Sequence, residues 1–215
     1  MYLFCIQDNH IYMVIKSNKR DFKANKLKIG TRGSPLALAQ ALEVKKEIIK
    51  YHELNDQSVE IISISTKGDR VIDRPLTEIG GKGLFTEEIE NKLFHNEIDI
   101  AVHSMKDMPT EFPIGLGINT FLKREDFRDS FVSLKYNSIN ELPVGAVVGS
   151  SSIRRKAQLL SIRPDLKVVE FRGNVQTRLK KLEDGVADAT FLACAGLIRL
   201  GMEDLGNPIS PEVMM

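Results

Sequence analysis

The sequence predicts an α/β protein of two lobes, and three observations carry that expectation. Short β-rich runs alternate with helical stretches from Leu27 onward, several helix starts carry capping residues, and 42% hydrophobic content over 215 residues can fill one large or two modest cores.

The strands come first. LKIG (27–30), VEIISIS (59–65), IDIAVHS (98–104), INTFL (118–122), DSFVS (129–133), AVVGS (146–150), KVVEF (167–171) and DATFLA (188–193) are short, β-branched and apolar. Their alternation with helices predicts βα units and mostly parallel sheets.

Four helices follow from local chemistry. Ser34 before Pro35 supplies an N-cap and a preset first residue, with Leu38, Leu42 and Ile49 on the inward face of a helix reaching about Lys50. A second helix, near 84–96, buries Phe85, Ile89 and Leu93. The third starts after Ser150-Ser151-Ser152 and turns Ile153, Ala157 and Leu160 inward. The fourth follows Asn174, buries Val175, Leu179 and Leu182, and stops at Gly185.

Residues 1–26 have mixed polarity and several basic residues, and read as an N-terminal extension. The stretches KREDFRD (123–129) and CAGLIRLG (194–201) look like paired crossings between lobes. The expected first domain is therefore discontinuous, 27–122 plus 195–215, with 123–194 as the second.

Composition excludes several classes. With 30 Lys plus Arg against 29 Asp plus Glu, the formal charge is +1, so no global field draws the chain to nucleic acid or anionic lipid, and anion binding must be local. Cys5 and Cys194 are far apart and lack metal-ligand spacing, so neither a disulfide framework nor a metal site is expected, and a reducing cytoplasmic compartment fits. Asp8, Asn9 and His10 interrupt the apolar start, no secretory cleavage site follows, and no run reaches the length of a membrane span.

Cationic residues cluster at particular places. Arg32, Lys82, Lys106, Arg154, Arg155, Arg172 and Arg178 fall just after expected strands or in the first turns of helices. Those positions line the ligand crevice of open α/β sheets. Arg154 and Arg155 oppose the dipole of their own helix at a cost of roughly 0.3–1 kcal/mol each. An anion cradled by them and by Ser150, Ser151 and Ser152 would offset that cost, although two solvated arginines on a capped helix explain the same residues.

RGNVQTR repeats the pattern with Arg172 at a strand exit and Arg178 one turn into a helix, and an ordinary basic face accounts for Lys181. In HSMKDMP, Lys106 and Asp107 end a strand too apolar to be exposed. A lone carboxylate among cations stays ionised and available as a proton donor or charge stabiliser, while a structural aspartate paired with Lys or Arg is the simpler account of one Asp outside any motif. GGKGLF (80–85) lacks the spacing of a nucleotide loop and suits a flexible lid with Lys82 reaching inward. His103 reads as a satisfied core histidine and Cys194 as a small buried hydrophobe.

Taken in order, TRGSPLALAQ (31–40), GGKGLFTEEIE (80–90), DIAVHSMKDMPTEFP (99–113), REDFRDSFVS (124–133), GSSSIRRKAQL (149–159), RGNVQTRLKKL (172–182) and AGLIRLG (195–201) resemble the successive signature segments of the porphobilinogen deaminase family. The resemblance runs from about Leu27 to the last residue. It implies two lobes like type II periplasmic-binding-protein domains, with a dipyrromethane cofactor and the growing polypyrrole chain in a cleft between them. It also implies a third C-terminal α/β domain, missing here, whose cysteine bonds the cofactor; neither Cys5 nor Cys194 matches that cysteine.

The implied activity is that of a transferase, hydroxymethylbilane synthase, which joins four porphobilinogens into a linear tetrapyrrole with release of ammonia in haem biosynthesis. By this resemblance Asp107 is catalytic, assisting ammonia loss and stabilising pyrrole cations. Lys82, Ser104, Lys106, Asp107, Ser151, Ser152, Arg154, Arg155 and Arg172 hold the cofactor. Arg32, Ser34, Phe85, Arg172, Arg178 and Arg199 bind substrate, with Phe85 packing over a pyrrole ring. The expected partners are porphobilinogen and the polypyrrole alone. A complete protein is expected to be monomeric, and a chain without the third domain to associate through the apolar surface left exposed. The competing readings are a catalytically impaired remnant and a solute-binding module of the same fold; a buried Lys106–Asp107 pair would speak against the latter.

Overall fold

The computed structural model describes residues 2–5, 26–70 and 83–214, with the backbone alone for 2–5 and no side chain for Asn119. The chain divides into two compact units, Met1–Arg124 and Glu125–Met215.

Unit 1 holds β1 (Tyr2–Cys5), β2 (Leu27–Arg32), β3 (Val59–Ile64), β4 (Ile100–His103) and β5 (Ile118–Thr120) in the order β3-β2-β4-β1-β5. All its pairings are parallel. Helices cover both faces. α1 (Pro35–Tyr51) presents Ala41, Val44 and Ile48 to Ile29, Val59, Ile100 and Val102. After the short α2 (Lys67–Arg70), α3 (Glu87–Phe94) packs Ile89 and Leu93 with Ile64, Ile98 and Ala101. Because both faces are buried, the strands read as continuous apolar runs.

Unit 2 holds β6 (Asp129–Val132), β7 (Val147–Gly149), β8 (Lys167–Val169), β9 (Ala189–Ala193) and β10 (Asn207–Pro208) in the order β10-β6-β9-β7-β8. β7 runs parallel to β8 and β9, whereas β6 is antiparallel to β9 and β10. Period-2 alternation sorts the side chains. Phe131, Val148 and Phe191 join the cluster with Leu159 of α4 (Ile153–Ile162). Val132 and Leu192 face Leu182 of α5 (Val175–Glu183) and Leu197 of α6 (Cys194–Arg199).

All eight expected strands form; the first runs on to Arg32 and the other seven are shorter by one to three residues. Three expectations change. Residues 195–215 do not return to the first unit: Asn207 and Pro208 pair with Phe131 and Ser130, and Ile209 and Met214 are buried in the second core. Local pattern shows that a segment is apolar but not which sheet buries it. The N-terminal 26 residues are likewise more than an extension, since Tyr2–Cys5 pairs with both β4 and β5.

The third change concerns helix faces. α1 buries Ala37, Gln40, Ala41, Val44 and Ile48, leaving Leu38 and Ile49 at its margin and Leu42 half exposed. The small alanines let the helix approach the sheet closely, which side-chain size had hidden. In α4, Ile153 is 78% exposed, Ala157 is exposed and Leu159 is the fully buried residue.

Candidate active site

In unit 1 the site is assembled where parallel strands end. Arg32 is the last residue of β2, and Thr66 to Asp69 follow β3. A 3-10 turn at Met105–Asp107 follows β4. Parallel strands place their carboxyl ends on one edge, so these loops converge.

Arg32 is the hub. Its Nε donates to Asp69 Oδ1 at 3.1 Å and Oδ2 at 3.3 Å, and its Nη2 also donates to Asp69. Its Nη1 lies 3.8 Å from Asp107 Oδ2. The Phe85 ring covers the guanidinium, with its centroid 4.1 Å from the central carbon. Gly68 makes room for that ring, because a Cβ there would lie 2.3 Å from Phe85 Cε1.

Asp69 also accepts from Thr66 Oγ1 at 2.7 Å and Thr66 N at 3.3 Å. Burial, the largest influence, raises its pKa, but the bonds from Arg32 and Thr66 outweigh it and hold the carboxyl below its ordinary value. Sequence reading passed over Asp69; its only signal was a position just beyond the β3 run.

Ser104 Oγ accepts from the buried Gln40 Nε2 at 3.0 Å, so α1 anchors the loop that carries Asp107. Gln40 too was missed, although a polar residue on the inward face of an apolar helix is its visible signature. Ser34 caps α1 by accepting from Ala37 N at 3.3 Å. The N-cap expected of Ser34 thus forms, and its own O–H stays available to donate.

Lys106 is exposed, whereas the Asp107 side chain is about a quarter exposed. The expected buried Lys106–Asp107 pair is thus absent among the described residues, where Arg32 is the cation that lies within ion-pair distance of Asp107. Nor is Asp107 a lone carboxylate, since Asp69 shares that arginine. Lys82 lies outside the described residues. His103 is 3% exposed, and burial, followed by the charge of Arg32, lowers its pKa to about 4, so it is neutral near pH 7.

In unit 2 the corresponding edge carries arginines. Arg155 donates from Nε to Asp129 Oδ2 at 3.0 Å, from Nη2 to Asp129 Oδ1 at 2.6 Å, and from Nη1 to Phe191 O at 2.9 Å. Arg154 Nη2 reaches Asp129 Oδ2 at 2.8 Å with half its side chain exposed. The anion expected at this helix start is therefore supplied by the protein itself.

The serines are committed as well. Ser150 Oγ accepts from Ser152 N at 3.2 Å and Ser151 Oγ from Phe171 N at 3.0 Å. Ser152 caps α4 by accepting from Arg155 N at 3.4 Å. These bonds shape the loop and leave each hydroxyl its own O–H to donate. Asn174 caps α5 as expected, and Gly185 adopts φ +72° just past its end.

Arg172 is half buried at the exit of β8, and Arg178 Nε donates to Gly173 O at 2.9 Å. Burial first, then the nearby Arg155, lowers the pKa of Arg178 against the opposing pull of Glu170. Arg199 ends α6, inside unit 2. Cys194 is buried, and burial pushes its thiol pKa up. Among the described residues no group of His, Cys, Asp or Glu could hold a metal, and no helix is long and apolar enough to cross a membrane.

Fold and site together define an α/β protein whose strand ends bring arginines and carboxylates together, Arg32 with the partly exposed Asp69 and Asp107 and Arg154 and Arg155 with the buried Asp129. The chain belongs to the porphobilinogen deaminase family, for residues 27–215 match the family model described as porphobilinogen deaminase, dipyromethane cofactor binding domain. It is 64% identical over 192 residues to a porphobilinogen deaminase of Paracoccus denitrificans (strain Pd 1222), a match covering 89% of this chain and 61% of that relative. The chain thus spans about three fifths of that relative's length.

Among solved structures, a periplasmic substrate-binding protein of an ABC transporter from Coxiella burnetii is 16% identical, with TM-score 0.42 and coverage of 86% of this chain and 80% of that one. The GluR0 ligand-binding core from Nostoc punctiforme is also 16% identical, with TM-score 0.36 and coverage of 80% and 72%. Likenesses of that size carry no argument about function.

The residues of unit 2 fit a polycarboxylate such as dipyrromethane. Arg154, Arg155 and Arg178 outnumber Asp129 and Glu170, and Arg178 is held near Arg155 despite their repulsion. Cys194, buried with a raised pKa, is a packing residue and not an attachment point.

Proposed function

We propose that this chain is the cofactor-binding and catalytic portion of a hydroxymethylbilane synthase, condensing four porphobilinogens stepwise into a linear tetrapyrrole with loss of ammonia. The observation that carries the reading is Asp107: a partly exposed carboxylate at the end of β4, beside Arg32 but not closed into a hydrogen-bonded pair with it.

That arrangement suits a step in which positive charge develops. When the aminomethyl carbon–nitrogen bond of porphobilinogen breaks and the nitrogen leaves as ammonia, cationic charge spreads over the pyrrole and its methylene carbon. A carboxylate fixed nearby lowers the barrier without reorganising at the moment of reaction. Asp107 takes that role. Ser104, bonded to Gln40, holds the turn that presents Asp107. Arg32 orients an acidic side chain of the substrate, and Phe85 supports Arg32 instead of stacking on a pyrrole.

Arg154, Arg172 and Arg178 receive the acetate and propionate groups of the pyrroles, while Asp129 keeps Arg155 and Arg154 at the start of α4. Ser151 and Ser152 shape that loop. Lys82, Lys106 and Arg199 add positive charge. Dipyrromethane, when bound, supplies the pyrrole end to which the first substrate couples. A second reading is binding of acidic pyrroles without turnover, which the arginines gathered around Asp129 support by themselves.

The test incubates the full chain with porphobilinogen while following ammonia, the linear tetrapyrrole and, by calorimetry, binding. Turnover abolished in Asp107→Ala supports the synthase. Binding without ammonia selects the second reading, and neither binding nor turnover defeats both.

A further inference from the structure

We infer that Asp69 is a positioning residue for the reaction: it fixes Arg32 so that the guanidinium faces Asp107 without closing a hydrogen bond on it. The inference deepens the synthase reading and rests on it.

Arg32 can present two N–H groups in parallel to a carboxylate, the arrangement a guanidinium prefers. Two carboxylates lie within its reach, and the two-point contact goes to Asp69, through Nε and Nη2. Asp107 receives only Nη1, at 3.8 Å, beyond the roughly 2.7–3.2 Å of an N–H···O bond. This division decides which carboxylate stays available. An Asp107 closed on Arg32 would be a neutralised pair, poorly suited to a developing cation.

Three restraints keep Arg32 from turning. Thr66, fully buried, pins the Asp69 carboxylate through both Oγ1 and N. The Phe85 ring closes one face of the guanidinium at 4.1 Å. Gly68 leaves the space that the ring fills. Asp69 is partly buried and bonded on several sides, so its restraint differs from the loose pairing of two surface side chains. A simple clip between the ends of β2 and β3 would need the Asp69 bond but no second carboxylate facing the remaining Nη1.

The experiment uses the labelled full chain and follows the Arg32 Nε–H signal by 15N–1H NMR. Wild type is expected to give a sharp resonance protected from solvent exchange; Asp69→Asn loses that protection at least tenfold and Asp69→Glu restores most of it. The wild-type measurement needs no variant to fold, and an unprotected Arg32 Nε–H there overturns the inference.

Porphobilinogen binding and turnover supply the second readout, in Asp69→Asn, Arg32→Gln and the double variant. Asp69→Asn is expected to lower kcat/KM about tenfold in the Arg32 background and less than twofold in the Arg32→Gln background. Equal losses in both backgrounds mean that Asp69 acts on the fold and not through Arg32, which defeats the proposal. Undiminished turnover in Asp107→Asn defeats the synthase reading instead, and the NMR result stands apart from it.

Discussion

Asp129, the first residue of β6, holds Arg155 by two parallel bonds, Nε to Oδ2 at 3.0 Å and Nη2 to Oδ1 at 2.6 Å. The carboxylate is 5% exposed and shares Oδ2 with Arg154. Burial raises its pKa, and the bonds to Arg155 and Arg154 more than reverse that, keeping it ionised.

Asp129→Asn therefore leaves two guanidinium groups facing a neutral amide, with Arg155 nearly buried. Removing one partner of a buried pair costs about 3–5 kcal/mol. Unit 2 is expected to lose about 3 kcal/mol, read as a fall in the urea midpoint.

His103 sets a pH window. Its folded pKa, about 4, lies below the unfolded value of 6.5, so the unfolded chain binds the proton first. The stability of keeping it neutral is complete above pH 6.5 and declines as pH falls from there toward 4, by about 3 kcal/mol in all. His103→Gln should flatten the stability curve over pH 6.5 to 4; an unchanged slope would assign it to other groups. Asp69 and Asp129 act in a separate window, because their lowered pKa values give stability that is lost only below the ordinary carboxylate range.

Gly149 precedes the serine loop, and a Cβ there would sit 2.3 Å from Cγ of the fully buried Phe171. Gly149→Ala forces the ring, and with it the Phe171 N–Ser151 bond, to move. Overpacking of this kind costs roughly 1–3 kcal/mol, so the melting temperature should drop by about 10 °C.

Arg178→Gln separates stability from binding. Burial and Arg155 already disfavour this charge, so its removal should leave the melting temperature unchanged or slightly higher. Affinity for porphobilinogen should fall about tenfold by calorimetry. A large loss of stability would make Arg178 a structural residue instead.

Much of this was legible in the chain. Eight strands appeared as short β-branched and apolar runs because most of their positions are buried or half-buried, with few exposed ones such as Glu60, Ser63 and Lys167 to interrupt them. Ser34 and Asn174 announced helix starts because capping is local chemistry between residues three apart. Helix faces were harder, since Ala37 and Ala41 gave weaker signals than Leu38 and Leu42 although the alanines are the residues that meet the sheet.

By itself the sequence determined the α/β class, the positions of eight strands, the clustering of arginines at strand exits and the family to which those motifs belong. These follow from local propensity and from residue types at fixed spacing. Only the tertiary structure decided what each charge meets. β6 runs antiparallel to β9, so Asp129 begins at the edge where its partner strand ends, beside Arg154 and Arg155. A parallel β6 would have carried that carboxylate to the opposite edge. Likewise Asp69 and Asp107, 38 positions apart, share Arg32 because β2 lies between β3 and β4. Strand direction and order arise from how whole faces bury one another, which no short stretch of sequence encodes.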